Sequence, residues 1–335
     1  MLDFSRFNSI FAVMSYFTSN KVCKAFLAEQ RWGKGKAVCP YCGKTHTYKR
    51  KDGRYICHDC NKSFSATQGT IFHDSNISLV KWFVAMYLIS SHKKGVSSHQ
   101  LSRDINVTQK TAWYMLQKIR TLYKQGRSGS LEGIVEMDEM YLGGKEKWKH
   151  NTKRTKGTQG RSTKTKTPIF GMISREGNAV ILKVHDTTSA TLMPIIKAYV
   201  KANAHLFTDE GVMYKPLAKE GFVHNNCDHS VGNYVAESGA TTNCVEGFWS
   251  HFRRCIYGIY HQCSIKYLQQ YIDEQTFRWN TRKCTEGERF EAMFGKAAKV
   301  VSYHDIDTYG YLKARVFSKD EYNRIMREFI KSMGA

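Results

Sequence analysis

The chain has 335 residues, with 51 Lys+Arg against 29 Asp+Glu, a formal net charge of +22 and 24% charged residues. That length calls for about two domains or a few small ones, and so large a positive excess points to a polyanionic partner rather than to solubility alone. No run approaches the ~18 uninterrupted apolar residues of a membrane span, and the start, MLDFSRFNSIF, lacks the basic segment and long apolar run of a signal peptide, so no membrane partner is expected.

Phe4, Phe7, Ile10, Phe11 and Met14 recur at helical spacing, which predicts an N-terminal helical segment over residues 1–35. Residues 36–66 carry two C-x2-C knuckles, Cys39-Pro-Tyr-Cys42 and Cys57-His-Asp-Cys60. Four thiolates at that spacing can close a tetrahedral zinc site, and the segment reads as a zinc ribbon. Thr47–Arg50 and Arg54–Ile56 are the arms of its hairpin, with Lys51-Asp-Gly53 as the turn. So small a unit cannot bury enough apolar surface to hold itself, and zinc supplies the folding energy. The other six of the ten cysteines (Cys23, Cys227, Cys244, Cys255, Cys263 and Cys284) show no second knuckle and read as ordinary thiols.

Residues 67–125 read as a helical domain. An apolar helix over 78–91 is followed by a break at Gly95, a second helix over 98–105, a tight turn at Asn106-Val107 and a third helix over 108–123. The short turn between the last two gives a helix-turn-helix-like unit, in which Thr108, Gln109, Lys110 and Tyr114 would lie near the DNA-contacting end. Residues 124–132 form a Gly/Ser linker. Beyond it the texture changes. A strand over 133–137, a hairpin of 168–174 with 179–184, a helix over 191–200, a strand over 206–208 and helices from 242 and over 265–279 fit a ribonuclease-H-like mixed α/β domain spanning 126–300. Residues 301–335 are left as a C-terminal helical tail. Within the mixed domain the segment 143–167 holds nine basic residues, among them Lys145, Lys147, Lys149, Lys153 and Arg154, against Glu146 alone. With almost nothing apolar, it reads as a flexible phosphate-binding arm.

The chemistry is expected where the mixed sheet ends. Asp138 follows the 133–137 strand and Asp209 follows the 206–208 strand, at strand ends where ligands gather. Two carboxylates there repel each other, and hard oxygen ligands suit Mg²⁺ or Mn²⁺. The helix from Thr242 would add Glu246, with Arg253 seven residues on and so on the same face, and with Asn243 and Ser250 beside them. Val245, Phe248, Phe252 and Ile256 would face the core. Two metals would activate an attacking oxygen and stabilise the leaving one, so no side chain need become a covalent nucleophile. Glu136, Glu139, Asp186 and Glu210 compete for these roles, and Glu136 is the strongest rival because strand alternation puts it on the face of Asp138.

These blocks, together with Gly69-Thr-Ile-Phe-His73, Lys81-Trp-Phe83, Val135-Glu-Met-Asp-Glu-Met-Tyr-Leu-Gly-Gly-Lys145, Thr208-Asp-Glu210, Thr242-Asn-Cys-Val-Glu-Gly-Phe-Trp-Ser250, Tyr257-Gly-Ile-Tyr-His261 and Phe277-Arg-Trp-Asn280, span nearly the whole chain. Their sequence resembles the ISXO-like, Merlin-related insertion-sequence transposases, which join an N-terminal zinc ribbon to a DDE ribonuclease-H-like domain. The resemblance implies that Asp138, Asp209 and Glu246 are the acidic triad, and keeps Asn243 in view as an alternative third group. It also implies an α+β multidomain fold, structural zinc, a divalent catalytic metal, transposon-end and target DNA as partners, and a homodimer or larger assembly on DNA. Arg253 stands where the family pattern usually has Lys, and Thr241 where it often has His. The expected activity is metal-dependent cleavage at terminal inverted repeats followed by strand transfer. It would take place in the cytoplasm, at the nucleoid, of a prokaryote or in the nucleus of a eukaryote. Two other readings use the same features: a zinc-dependent DNA-binding regulator or domesticated transposase, without catalysis, and a structure-specific nuclease, which cuts without joining.

Overall fold

Small hydroxyl side chains start most of the front helices. Ser9 accepts from the Ala12 N–H to begin α1 (Ile10–Tyr16), and Ser19 from the Val22 N–H to begin α2 (Asn20–Trp32). Such caps satisfy backbone donors that the first turn leaves orphaned. The computed structural model describes residues 3–124, 131–144, 149–156, 158, 160, 162–226 and 241–297. They belong to two units, one of residues 1–123 with 283–312 and one of 124–282 with 313–335. The expected tail over 301–335 lies outside the described residues.

In the first unit the Ser9 cap resets the helical phase, so the N-terminal apolar stripe does not run through. Phe4 and Phe7 are buried, whereas Phe11 and Met14 are 79% and 52% exposed. The ribbon follows as β1 (Thr47–Lys49), β2 (Tyr55–Cys57) and β3 (Ser63–Phe64), an antiparallel sheet whose hairpin turns at Gly53 with φ of 82°. Then α3 (Leu79–Ser91) is buried almost throughout, as a helix apolar on every side must be. α4 (Ser98–Asp104) and α5 (Gln109–Arg120) pack through Leu101, Ile105, Ala112 and Leu116. Asn106 makes the turn between them in the left-handed region that Asn tolerates, with φ of 49°.

The second unit is built on a five-stranded sheet of β4 (Ile134–Leu142), β5 (Thr167–Ser174), β6 (Ala179–Lys183), β7 (His205–Thr208) and β8 (Val223–Asn226). Its order is β6-β5-β4-β7-β8; the first three are antiparallel, and β7 and β8 add parallel to β4. Parallel neighbours need crossovers, which α6 (Ser189–Tyr199) and the 3₁₀ stretch Val212–Glu220 supply. α7 (Asn243–Cys255), one π-helical turn over Ile256–Tyr260 and α8 (Leu268–Asn280) follow. Two cores result. Val135 and Met137 pack with Leu192, Ile196 and Tyr214, and Met140, Ile169 and Ile181 pack with Val245, Phe248, Phe252 and Ile272. Odd-numbered residues of β4 therefore look toward α6 and even-numbered ones toward α7.

The last described helix, α9 (Glu286–Ala297), returns to the first unit. Its Phe294 meets Phe83 and Phe26 with ring centroids 4.7 and 5.1 Å away, and Met293 Sδ receives the Tyr123 hydroxyl at 3.3 Å. The sequence alone places this stretch in the mixed domain over 126–300; the structure groups it with the first unit. Among the described residues, no helix is long and apolar enough to cross a membrane.

Candidate functional site

Each cysteine knuckle is one local turn used twice. Cys39 N–H donates to Lys44 O at 2.9 Å, and Cys57 N–H to Lys62 O at 3.2 Å. The residue after the second cysteine of each knuckle takes a left-handed backbone, Gly43 at φ 72° and Asn61 at 53°. Cys39 and Cys60 sulfurs lie 3.6 Å apart, and those of Cys42 and Cys57 3.5 Å. A zinc tetrahedron with ~2.3 Å bonds has edges of about 3.8 Å, so the spacing fits the metal. Backbone N–H groups of Tyr41 and Cys42 aim at the Cys39 sulfur, Lys44 N–H at Cys42 and Lys62 N–H at Cys60, as thiolates require. Trp32, Tyr55 and Phe64 close over the buried side. Among the described residues, these cysteines form the one set of three or more His, Cys, Asp or Glu side chains whose ligand atoms all lie within 4.8 Å of one another.

The carboxylates meet by topology instead. Asp138 is not at the end of β4, as the sequence suggested. The strand runs on to Leu142, because Asp138–Leu142 keep the alternation and pair with Thr167–Gly171 of β5. It is the other neighbour that stops. β7 pairs Ile134 with His205, Val135 with Leu206 and Glu136 with Phe207, and two further steps of that register set Asp138 against Asp209, just past the end of β7. α7 brings Trp249 across the same place. Its indole N–H donates to Asp138 Oδ2 at 3.0 Å, and the ring lies so close over Gly171, the β5 partner of Asp138, that a Cβ there would stand 2.6 Å from it. Glu246, one turn earlier and exposed, receives the Thr242 hydroxyl at 3.1 Å. Burial pushes the Asp138 carboxyl up, the Glu139 N–H and the indole pull it down, and the charges of Asp209 and Glu246 push it further, to about 6. A buried Asp138 carboxyl on which two further carboxylates act, all three offering hard oxygen, fits a divalent cation such as Mg²⁺ or Mn²⁺. They are not drawn together within the distance that encloses the cysteine sulfurs.

The "Transposase zinc-ribbon domain" model matches residues 18–63, and the "ISXO2-like transposase domain" model matches residues 130–280. The chain belongs to the ISXO2-like insertion-sequence transposases. It is 29% identical over 231 residues to an uncharacterized protein in transposable element ISH50 of Halobacterium salinarum, covering 65% of this chain and 77% of that one. It is also 30% identical over 97 residues to an uncharacterized transposase-like protein of Haemophilus influenzae, covering 29% of this chain and 76% of the relative. Among solved structures, a simian T-cell lymphotropic virus intasome in complex with PP2A regulatory subunit B56 gamma overlaps at a TM-score of 0.27 and 12% identity. That overlap covers 54% of this chain and only 64% of the other, a likeness too loose to bear on mechanism.

Within this transposase the rival acids have other partners. Glu136 shares the face of Asp138, as alternation requires, but it is 1% exposed and accepts Arg175 Nε at 3.0 Å and the Cys244 N–H at 2.7 Å. Glu139 looks to the opposite face, where it accepts the hydroxyl of fully buried Tyr214. Asp186 binds the Thr188 N–H and the Thr188 and Thr191 hydroxyls at the start of α6. His224 sits against the Thr208 hydroxyl at 2.9 Å, while His229 lies outside the described residues. Asn243, Ser250 and Arg253 share the exposed face of α7 with Glu246.

In the helical unit Thr108 is exposed but serves as the cap of α5, and Gln109 donates to Ser98 Oγ at 2.8 Å. Lys110 is exposed, and half-buried Tyr114 carries Lys118 Nζ 5.0 Å from its ring centre. Of the basic arm, Lys145 and Lys147 lie outside the described residues. Lys149, Lys153 and Arg154 are exposed, around a 3₁₀ turn at Asn151–Lys153 that the expected flexible arm did not include. Sequence reasoning gave no role to Trp249, Gly171, Thr242 or Tyr214. Trp249 could have been found from its three-residue spacing after Glu246, which puts both on one helix face.

Proposed function

We propose that this transposase cleaves and joins DNA at a divalent-metal site formed by Asp138, Asp209 and Glu246 in a ribonuclease-H-like domain. The observation that carries the reading is the Asp138 carboxyl: desolvated, held by the Trp249 indole and acted on by the charges of the other two acids. Three antiparallel strands extended by two parallel ones, with the acids on β4, after β7 and on α7, is the arrangement such a domain calls for.

Asp138, Asp209 and Glu246 would hold Mg²⁺ or Mn²⁺, which supplies charge neutralisation at a reacting phosphate and a more acidic attacking hydroxyl. Around it the chain's own groups orient the ligands. Trp249 holds one Asp138 oxygen, and the Thr242 hydroxyl holds one oxygen of Glu246. Arg253, on the Glu246 face of α7, offers a planar fork to a backbone phosphate. The zinc ribbon and the α4–α5 pair would bind transposon ends through Thr108, Gln109, Lys110 and Tyr114. Lys149, Lys153 and Arg154 of the arm would add phosphate contacts. Two ends must be held at once, so a dimer or larger assembly forms on the DNA.

Incubation with the DNA flanking its own gene, a target plasmid and Mg²⁺ should give nicked and joined products. Asp138→Asn should lower them at least a thousandfold while leaving end binding within a few fold. Tight binding with no product under Mg²⁺ or Mn²⁺ would replace this reading with a DNA-binding regulator, and nicks without joining would make the protein a nuclease. Replacing Lys149, Lys153 and Arg154 with Ala should flatten the salt dependence of DNA binding by up to about one unit of slope per lost contact; an unchanged slope would make the arm a bystander.

A further inference from the structure

One ion pair touches all three segments that carry the acids. Glu136 lies on β4, two residues before Asp138. Its Oε1 accepts Arg175 Nε at 3.0 Å, and its Oε2 accepts the N–H groups of Cys244 at 2.7 Å and Val245 at 3.4 Å. Cys244 is two residues before Glu246. Arg175, at the β5–β6 turn, donates its own N–H to Ile134 O at 2.9 Å and sets its guanidinium 4.9 Å from the ring centre of Phe207, two residues before Asp209.

The arrangement substitutes for a missing cap. Thr242, at the N-cap of α7, makes no side-chain cap bond; its hydroxyl donates to Glu246. The carboxylate that receives the first-turn N–H groups comes instead from β4, 108 residues away in the chain. A negative charge is favourable at a helix N-terminus, and a charge 1% exposed is tolerable only when paired, which Arg175 provides. A hydrophobic pair of similar volume would hold the fold as well. What it would not do is fix the start of α7 to β4 by directed bonds.

We infer that Glu136 and Arg175 are positioning residues that lock the first turn of α7 and the end of β7 to β4, and so set Glu246 and Asp209 against Asp138 for metal. The inference rests on the carboxylate-site reading proposed above. It is tested on the full chain with Glu136→Gln and Arg175→Met. Three properties are measured: amide hydrogen exchange at Cys244 and Val245, Mn²⁺ affinity by electron paramagnetic resonance (counting only Mn²⁺ that Asp138→Asn abolishes), and zinc content. Glu136→Gln should speed exchange at both amides and weaken Mn²⁺ at least tenfold, with stoichiometric zinc retained. Arg175→Met strands the Glu136 carboxylate, 1% exposed, without its partner, whereas Glu136→Gln removes that charge and keeps an amide oxygen for the Cys244 N–H, so it is the variant that folds if only one does; folded Arg175→Met should weaken Mn²⁺ threefold or more. Mn²⁺ affinity within twofold of the native protein in both variants, or unchanged exchange in Glu136→Gln, overturns the inference. If the native protein binds no Asp138-dependent Mn²⁺, the carboxylate reading itself fails, an outcome distinct from native affinity in the variants.

Discussion

The cysteine site and the carboxylate site solve opposite problems. The cysteines lie between residues 39 and 60, each knuckle is one turn with its own backbone bonds, and the sulfurs already stand at the spacing of a zinc tetrahedron. The carboxylates lie between residues 138 and 246 and arrive on a strand, a strand end and a helix from a different face of the chain's path. Their positions come from sheet register, an indole laid over a glycine and an ion pair, not from the turns that carry them. A structural metal site can be closed and local. A reactive one, as we propose for the carboxylates, must leave room for substrate, so its ligands would be held by the surrounding fold.

The largest expected effect is therefore at the cysteines, where metal and folding are one event. Cys39→Ser should release stoichiometric zinc and unfold the ribbon around β1–β3, because structural zinc contributes on the order of 10 kcal/mol to such a segment. Metal analysis with amide exchange across residues 36–66 checks it. Full zinc retention in Cys39→Ser would break the comparison, by showing that the ribbon holds without a closed metal site.

This contrast also sets how much could be seen in the sequence. The knuckles were legible because spacing alone makes them, and so were the hairpins with turns at Gly53 and Gly177, both at positive φ. The inward face of α7, Val245, Phe248, Phe252 and Ile256, was legible from helical period. Asp138 was singled out for a strand end that does not exist: β4 continues to Leu142, and the edge belongs to β7, a neighbour no local pattern reveals. The fate of Glu136 was hidden for the same reason, since period 2 gives its face but not Arg175 or the α7 amides. Phe11 and Met14 were misread because one serine cap restarts a helix and shifts every later residue around its axis.

The Asp138 carboxyl is held above its ordinary value by burial and by its acidic neighbours, and pH reads this directly. The folded-state Asp138 carboxyl sits near 6, above its ordinary value of 3.8. A raised carboxyl favours the proton in the folded state. Without divalent metal, the protein should thus be most stable with respect to this group below about pH 4, and lose up to about 3 kcal/mol as pH rises through 6. Asp138→Asn removes the charge and keeps an acceptor for the Trp249 indole. It should raise the melting temperature at pH 7.5 by several degrees and have little effect at pH 4, in buffer without added Mg²⁺. An equal effect at both values would show that burial and the neighbouring acids do not raise the Asp138 carboxyl.

The smallest change sharpens the comparison furthest. Gly171 has an extended backbone open to any residue, so its need is spatial: a Cβ would meet the Trp249 ring at 2.6 and 2.9 Å and Ile181 at 3.1 Å. Gly171→Ala should therefore cost about 1–3 kcal/mol, the usual penalty for overfilling a packed core. It should also move the indole N–H off Asp138, read as a shift of the Trp249 Nε1–H resonance and a weaker Mn²⁺ site. No cysteine ligand is touched, and zinc content should stay stoichiometric. An unmoved indole resonance with native Mn²⁺ affinity would mean that Trp249 yields elsewhere, and that the Asp138 oxygen is aimed by β4 alone rather than by the helix packed across it.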